Sequence, residues 1–367
     1  MAATLGEVLA QNTREGRLYS HLPDGRILCF SCGHRCPIPE GKAGVCKVRF
    51  NEGGKLKVPW GYVGALQDDP VEKKPFYHAM PGARALSFGM LGCDFHCGYC
   101  QNWVTSQALR DPEAVAPPIK ISPQELVRIA QERDCEILAS TYNEPLITSE
   151  WAVEIFKEAR KAGLVTAYIS NGNGTPEVLD YIRPWVDLYK VDLKSFNDRH
   201  YRELGGTLAN VCETIRGLYA RKFWLEVLTL LIPGFNDSDE EITELTRFVA
   251  SVSPDIPWHV TAFHQDYKMM DHANTTPQHL LRAAQIGEKA GLRYIYAGNL
   301  PGMVGRFENT FCPNCREAVI ERRGFQILRD RLTETGGTCF KCSAPVPGFW
   351  KKERKAHISD GRIRPVH

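Results

Sequence analysis

Three cysteines close together in the chain have a spacing suited to an iron–sulfur cluster. Cys93, Cys97 and Cys100 form a C-x3-C-x2-C pattern directly after a predicted strand at 85–91. Three thiolates at this spacing can hold three irons of a cubane and leave the fourth iron without a protein ligand. A zinc site would need a fourth protein ligand, and His96, which lies between two of the cysteines, is poorly placed to supply it. The pattern therefore favours a 4Fe–4S cluster with one open iron.

Eight further cysteines form one group on each side of this motif, while Cys135 and Cys212 stand apart and are expected to be small buried hydrophobes. The C-terminal group repeats a C-x2-C pair, as zinc ribbons do, and predicts a structural zinc, with an iron site as the alternative. The N-terminal group is unevenly spaced and fits a zinc or a second iron–sulfur cluster equally well. The C-terminal group is Cys312, Cys315, Cys339 and Cys342, and the N-terminal group is Cys29, Cys32, Cys36 and Cys46.

The overall composition is that of a globular protein. The chain has 367 residues, of which 43% are hydrophobic and 24% charged, and its net charge is +2. This near-neutral balance argues against nucleic-acid binding, which usually needs a basic face. The N-terminal residues lack the apolar segment of a signal peptide, and no apolar run is long enough to span a membrane. Because clustered cysteines without an export signal indicate metal sites in a reducing compartment, we expect a cytoplasmic protein that binds no membrane.

Strand-like runs alternate with amphipathic helices through the central part of the chain. Helix starts are marked by Ser122 and Ser238, each with a glutamate three residues later, as in a capping box. Repeated strand–helix units of this length predict a parallel sheet with right-handed crossovers. The periodicity leaves open whether the sheet is doubly wound or forms a full or partial barrel. The predicted strands are at 85–91, 136–141, 165–170, 186–192, 224–231, 259–263 and 293–297.

The central cysteine motif, with the aromatic Tyr99 before its last cysteine, resembles the signature of the radical S-adenosylmethionine (SAM) superfamily. That resemblance implies an α/β fold, a partial (β/α)6 barrel of the TIM type. It also implies that the open iron binds the amino and carboxyl groups of SAM. An electron from the cluster then cleaves SAM to methionine and a 5′-deoxyadenosyl radical, which takes a hydrogen atom from a substrate. The implied activity is that of an oxidoreductase that needs a reductant such as flavodoxin or ferredoxin.

Polar residues follow the successive predicted strands, where this superfamily places its SAM contacts. Glu144, in a Tyr-Asn-Glu-Pro segment that resembles the Gly-Gly-Glu-Pro loop of the family, is expected to accept the SAM ammonium group. Asp192 and Lys194 form an Asp-x-Lys similar to that of pyruvate formate-lyase activating enzymes. No side chain is assigned as a general base, because hydrogen abstraction needs positioning and exclusion of water more than titration. The expected cofactor contacts are Tyr99, Glu144, Ser170, Asn171, Asp192, Lys194, Glu226 and His264.

A narrower resemblance covers essentially the whole chain. The segment 69–78, Cys100-Gln101-Asn102 and Ala297-Gly298-Asn299 together resemble the radical SAM enzymes of the AmmeMemoRadiSam system. These enzymes are related to glycyl-radical-enzyme activases, and the resemblance implies Memo-like and AMMECR-like proteins as partners but no settled substrate. His78 in the first segment is expected to be an ordinary loop histidine.

Three hypotheses for the function follow. The favoured one is hydrogen abstraction from an unidentified substrate, either a small molecule or a protein. The alternative is activation of a glycyl-radical enzyme, as pyruvate formate-lyase activases do. The alternative from another class is a zinc-dependent scaffold or binding protein whose three cysteine groups are all structural.

We predict three parts along the chain. An N-terminal four-cysteine module spans 1–82, the radical SAM barrel spans 83–305, and a zinc-ribbon-like module spans 306–367. A basic run at 351–355 in the last part is expected to be a solvated terminus.

Overall fold

Short antiparallel strands at both ends of the chain flank a long run of alternating strands and helices. The computed structural model describes residues 4–351 and 359–366, so the basic run at 351–355 lies almost entirely outside the described residues. The N-terminal part contains α1 (Leu5–Gln11), β1 (Thr13–Glu15), β2 (Tyr19–His21), β3 (Ile27–Cys29), β4 (Pro37–Ile38), β5 (Phe50–Glu52), β6 (Lys55–Pro59), β7 (Tyr62–Val63) and β8 (Ala65–Pro70). Short 3₁₀ helices lie at Val71–Lys73, Pro145–Thr148 and Gly305–Glu308.

The central and C-terminal parts contain the remaining elements. The central part contains β9 (Arg84–Gly89), α2 (Trp103–Ser106), β10 (Ile119–Lys120), α3 (Pro123–Glu132), β11 (Ile137–Ser140), α4 (Ser149–Lys161), β12 (Val165–Ser170), α5 (Pro176–Ile182), β13 (Leu188–Asp192), α6 (Asp198–Leu204), α7 (Leu208–Ala220), β14 (Trp224–Leu231), α8 (Asp239–Val252), β15 (Trp258–Ala262), α9 (Pro277–Lys289) and β16 (Ile295–Gly298). The C-terminal part contains β17 (Thr310–Phe311), β18 (Ala318–Arg323), β19 (Gln326–Asp330) and β20 (Arg364–Pro365). In the described ranges, no helix has both the length and the apolar character needed to cross a membrane.

The large sheet has nine strands in the order β16-β15-β14-β13-β12-β11-β9-β8-β20. From β9 to β16 its members are parallel and follow one another in chain order, each joined to the next through a helix. Because this order never reverses, the sheet is not doubly wound. The predicted partial (β/α)6 barrel is confirmed, and β16 follows its six strand–helix units as a further parallel strand. All seven predicted strands are present, with ends shifted by at most two residues.

The barrel sheet also takes strands from the two ends of the chain. β8 pairs antiparallel with β9, and β20 pairs antiparallel with β8. One sheet therefore includes strands from all three predicted parts, and the boundaries at 82 and 305 stay a prediction.

Local sequence explains where the barrel helices begin. Ser122 and Ser238 accept hydrogen bonds from the backbone N–H groups of Glu125 (3.1 Å) and Glu241 (3.2 Å), as predicted. Both predicted capping boxes are only half formed, because neither glutamate carboxylate turns back to its serine. The Glu241 carboxylate instead accepts the backbone N–H of Phe196 (2.7 Å) and so holds the loop after β13. The first turn of α8 therefore positions the loop after β13.

The C-terminal module packs against the barrel through one buried arginine on β18. The Arg322 guanidinium donates to the Tyr77 carbonyl (2.7 Å) and the Thr310 hydroxyl (2.8 Å), and it lies 4.4 Å from the centre of the Tyr77 ring. His78, the next residue in that segment, is also fully buried, and its ring bonds to the Pro347 carbonyl (2.6 Å). The segment before β9 is thus held between the barrel and the C-terminal module.

Candidate metal centres and cofactor cavity

The C-x3-C-x2-C loop lies at the carboxyl end of β9, where parallel barrels place their chemistry. Cys97 is buried, and Cys93 and Cys100 are half-buried. Burial raises the pKa of the Cys97 thiol to about 12, so a thiolate at this position needs a metal beside it. Polar groups already face the other two sulfurs: the Phe95 N–H is 3.4 Å from Cys93 Sγ, and a hydroxyl, that of Ser106, is 3.2 Å from Cys100 Sγ. This donor set fits an iron–sulfur cluster.

A cavity of about 340 Å³ opens beside this loop at the carboxyl ends of the parallel strands. Cys97 and Cys100 line it together with Tyr99, Asp192 and Lys194. The structure therefore brings three of the expected cofactor contacts together with two of the cluster cysteines. The volume lies in the usual range for small-molecule sites.

Three charged residues at alternate positions of β13 and the loop after it face this cavity. Lys190, Asp192 and Lys194 all line it, as the period of two along an extended chain requires. Both lysines donate to the Asp192 carboxylate, Lys194 at 3.5 Å. Burial acts to raise the pKa of Asp192, but the two ammonium groups outweigh it and leave that pKa lowered. Sequence reasoning missed Lys190, although the alternation of charges along the strand was a visible signal.

The segment before β9 lines the opposite wall of the cavity. Lys73, Lys74 and Tyr77 all contribute to it. The Lys74 Nζ is 2.6 Å from the Asp69 carboxylate and 3.0 Å from the Tyr142 hydroxyl. Burial lowers the pKa of Lys74 to about 8 although Asp69 acts in the other direction. These residues were visible only as part of the family resemblance, and nothing in their spacing indicated a site.

Glu144, Ser170 and Asn171 form a buried network rather than part of the cavity wall. The Glu144 carboxylate accepts the Ser170 hydroxyl (2.7 Å), the Asn171 N–H (2.7 Å) and the Leu146 N–H (3.1 Å). Burial, with the Asp94 carboxylate nearby, raises the pKa of Glu144. The Asn171 side chain in turn donates to Asp94 (2.8 Å), the residue that follows Cys93 in the chain. The network supports the cysteine loop, and a direct contact of its members with SAM stays a prediction.

Glu226, expected among the cofactor contacts, does not line the cavity itself, although its partners Tyr77 and His259 do, and its contact with the cofactor stays a prediction. It is fully buried in the middle of β14 and accepts the backbone N–H groups of Tyr77 (3.0 Å) and His78 (2.9 Å). The Trp224 indole (3.0 Å) and the His259 ring (2.7 Å) also donate to its carboxylate. Burial acts to raise the pKa of Glu226, but interactions led by the hydrogen bond from His259 outweigh burial and leave that pKa lowered. Glu226 therefore anchors the segment before β9 to the barrel.

A second cavity of about 790 Å³ adjoins the first. His264 lines it and accepts a hydrogen bond from the Gln101 side chain (3.0 Å), next to the cysteine loop. Phe325, in the turn between β18 and β19, lines both cavities and so lies at their junction. Sequence reasoning missed Phe325, because only tertiary structure brings the C-terminal module to the barrel.

The C-terminal cysteine group has the geometry of a single-ion site. Its sulfurs are 3.5 Å apart for Cys312 and Cys342 and 3.7 Å apart for Cys315 and Cys339, and all four lie within 4.8 Å of one another. A tetrahedral ion with metal–sulfur bonds of about 2.3 Å places its sulfurs about 3.8 Å apart. In the described parts of the chain, this is the one group of three or more Cys, His, Asp or Glu ligand atoms that lie so close together. Among the described residues, the N-terminal cysteines do not meet this spacing.

A family model and several known proteins are similar to this chain. The radical SAM superfamily model matches residues 89–246. The uncharacterized protein MJ0808 of Methanocaldococcus jannaschii is 35% identical over 91% of this chain and 98% of its own length. The pyruvate formate-lyase-activating enzyme of Staphylococcus epidermidis is 25% identical over 50% of this chain and 76% of that enzyme. A radical SAM methyltransferase from Sphaerobacter thermophilus, with 14% identity, covers 78% of each chain at a TM-score of 0.46. With its C-x3-C-x2-C loop at the end of β9 and this family match, the chain belongs to the radical SAM superfamily.

Proposed function

We propose that the chain reductively cleaves SAM and abstracts a hydrogen atom from a small-molecule substrate. The observation that carries this proposal is the cavity shared by Cys97, Cys100 and the charged residues of β13. Cys93, Cys97 and Cys100 would hold a 4Fe–4S cluster, which with SAM bound supplies a 5′-deoxyadenosyl radical for hydrogen abstraction. Asp192 and Lys194 offer opposite charges to the amino and carboxyl groups of SAM.

The size of the two cavities favours a small molecule as the substrate over a folded protein. Their volumes, about 340 Å³ and about 790 Å³, both lie in the range of small-molecule sites. Phe325 lines both cavities and lies at their junction. Activation of a glycyl-radical enzyme is the second candidate, because the match to the pyruvate formate-lyase-activating enzyme favours it.

The partners in this proposal rest on the family resemblances of the sequence, and its metals rest on the cysteine groups. We propose a flavodoxin or ferredoxin as the one-electron reductant, Memo-like and AMMECR-like proteins of the AmmeMemoRadiSam system as partners, and the cytoplasm as the compartment. The single-ion geometry of the C-terminal group supports a structural zinc. The N-terminal group is proposed to bind a zinc or a second cluster.

The origin of the abstracted hydrogen separates the two substrate classes. The anaerobically reconstituted enzyme is incubated with SAM, a reductant and an extract of cells grown on deuterated medium, divided into small molecules and proteins. Deuterium in the 5′-deoxyadenosine formed with the small-molecule fraction supports the proposal. Enrichment with the protein fraction alone would favour the activase. The absence of any 5′-deoxyadenosine would contradict SAM cleavage itself.

Replacing Asp192 by asparagine is expected to weaken SAM binding by about tenfold or more. The change removes the negative charge that Lys190 and Lys194 surround, and hydrogen bonds to charged groups are worth about 1.5–3 kcal/mol. Equilibrium dialysis of SAM against the reconstituted enzyme measures the loss. Glu213→Gln, which removes an exposed charge on α7, is the control. Equal affinities of the two variants would contradict the role of Asp192.

Replacing Phe325 by alanine is expected to increase the cleavage of SAM without substrate by about threefold or more, because the wider cavity admits water to the site. With a deuterated extract, the deuterium content of the 5′-deoxyadenosine should fall. Phe340→Ala is the matched control, since Phe340 belongs to the same module but is 43% exposed. If the two variants behave alike, Phe325 does not form a wall of the site.

A further inference from the structure

The N-terminal cysteines gather in one region but are not spaced for a single ion. Cys29, Cys32 and Cys46 are exposed by only 6%, 6% and 5%. Cys32 packs with Cys46 in one apolar cluster, and Cys29 packs with Cys36 in another. In the described part of the chain, however, the sulfurs of these four cysteines do not form a group within 4.8 Å, whereas those of the C-terminal cysteines do. A tetrahedral zinc requires all four sulfurs at about 3.8 Å.

The cysteines of the central motif provide an internal comparison. The sulfurs of Cys93, Cys97 and Cys100 also do not all lie within 4.8 Å of one another. In the radical SAM family this motif binds a cubane cluster, and each thiolate binds a different iron. Thiolates on different irons must stand further apart than thiolates that share one ion. The N-terminal group and the central motif therefore share one property: neither has the close sulfur spacing of a single-ion site.

A buried arginine beside these cysteines has an N–H group without an acceptor. Arg49 is 1% exposed, and its terminal nitrogens donate to Glu150 (2.7 and 2.8 Å) and to the Ile147 carbonyl (3.0 Å). Its Nε has no hydrogen-bond partner among the described residues. An unsatisfied buried donor costs about 1–3 kcal/mol. Cys29 and Cys46 are close enough to act on the Arg49 charge, so an acceptor with negative charge fits beside the guanidinium group.

The N-terminal cysteine loop touches the central one directly. The Gly33 N–H donates to the Asn173 carbonyl (2.8 Å), and the Asn173 side chain donates to Asp94 (2.8 Å). His34, also between Cys32 and Cys36, bonds to the Asp94 carbonyl (3.2 Å). Two loops that carry metal ligands are thus joined through the residue next to Cys93.

The approach of the two loops is so close that it requires a glycine. Gly92, immediately before Cys93, has a φ of +92°. A side chain at this position would lie 3.0 Å from the Cys46 carbonyl and 2.8 Å from the Val48 side chain. No intervening layer therefore separates the Cys46 backbone from the start of the central cysteine loop.

We propose that Cys29, Cys32, Cys36 and Cys46 hold a second 4Fe–4S cluster that relays electrons to the cluster on Cys93, Cys97 and Cys100. A one-electron reductant of the flavodoxin or ferredoxin class is oxidised as the N-terminal cluster is reduced. The same electron then reduces the central cluster across the contact of residues 33–34 with Asp94. The presence of the second cluster is independent of the proposed SAM cleavage, whereas its role as a relay rests on it.

Metal content of the wild-type enzyme tests the site without any substitution. The anaerobically reconstituted protein is expected to contain about eight irons and one zinc per chain, and its electron paramagnetic resonance spectrum after reduction should show two interacting clusters. About four irons and two zincs per chain would overturn the proposal. Eight irons without any SAM cleavage would keep the second cluster and contradict the proposed function instead.

Two reductants test the relay. In Cys32→Ser, the rate of SAM cleavage driven by reduced flavodoxin is expected to fall about tenfold more than the rate driven by dithionite, because the small reductant can reach the central cluster directly. Cys212→Ser, at a lone buried cysteine, should leave both rates unchanged. Retention of four irons and an unchanged circular dichroism spectrum show that the Cys32→Ser variant is folded. In such a folded variant, equal losses with the two reductants would overturn the relay.

Discussion

Cys97→Ala is expected to abolish the conversion of SAM to 5′-deoxyadenosine and methionine, a loss of at least about a thousandfold. Cys97 is buried at the end of the barrel and lines the cavity beside Asp192 and Lys194. Without its thiolate, the cluster that these cysteines would hold loses one of its three protein ligands, so a stable cluster with an open iron for SAM would not form. Product formation by anaerobic enzyme with dithionite, followed by chromatography, measures the loss.

The zinc content provides the control for this prediction. The C-terminal group, which is proposed to hold zinc, does not include Cys97, so the variant should keep the zinc content of the wild-type protein while its iron content falls. Cys135→Ala, at an isolated buried cysteine, should retain full SAM cleavage. Retention of SAM cleavage in Cys97→Ala would contradict the assignment of Cys97 as a cluster ligand. The absence of SAM cleavage in the wild-type protein would instead favour the zinc-dependent scaffold.

Glu226→Ala is expected to lower the free energy of unfolding by about 3–5 kcal/mol, because each buried donor left without an acceptor costs about 1–3 kcal/mol. The change leaves the backbone N–H groups of Tyr77 and His78 and the rings of Trp224 and His259 without their acceptor. Urea denaturation followed by circular dichroism measures the effect.

A control variant and a measurement of SAM binding distinguish the anchoring role of Glu226 from a role in cofactor binding. Glu203→Ala removes an exposed carboxylate on α6 and should leave the urea midpoint close to that of the wild type. If Glu226→Ala is as stable as the wild type but binds SAM more weakly, then Glu226 is a cofactor contact and the anchoring role is wrong.

The parts of the site that were predictable are those that local sequence determines. The cysteine spacing and the strand before it placed the loop at the end of β9, and Asp192 and Lys194 follow directly on β13. Parallel strands in chain order bring such strand ends to one edge of the barrel. Tyr99 lies between Cys97 and Cys100 in the motif, and it therefore lines the same cavity as these two cysteines.

The remaining parts depend on contacts between residues that are distant in the chain. Glu226 lies on a barrel strand, as a cofactor contact would, but its partners Tyr77 and His78 come from a segment about 150 residues earlier in the chain, and only packing shows that they consume both of its oxygens. Phe325 reaches the site because Arg322 packs on Tyr77. No local pattern encodes such an encounter.

The turn that carries Phe325 connects a wall of the cavity to the C-terminal cysteine group. Its strands, β18 and β19, belong to the sheet that begins with β17, next to Cys312. The ion proposed for that group would therefore shape a wall of the cavity that the proposed iron–sulfur cluster adjoins. Under this proposal, a cell short of zinc would produce an enzyme with an intact cluster but an incomplete cavity, and two separate metal supplies would set the amount of competent enzyme.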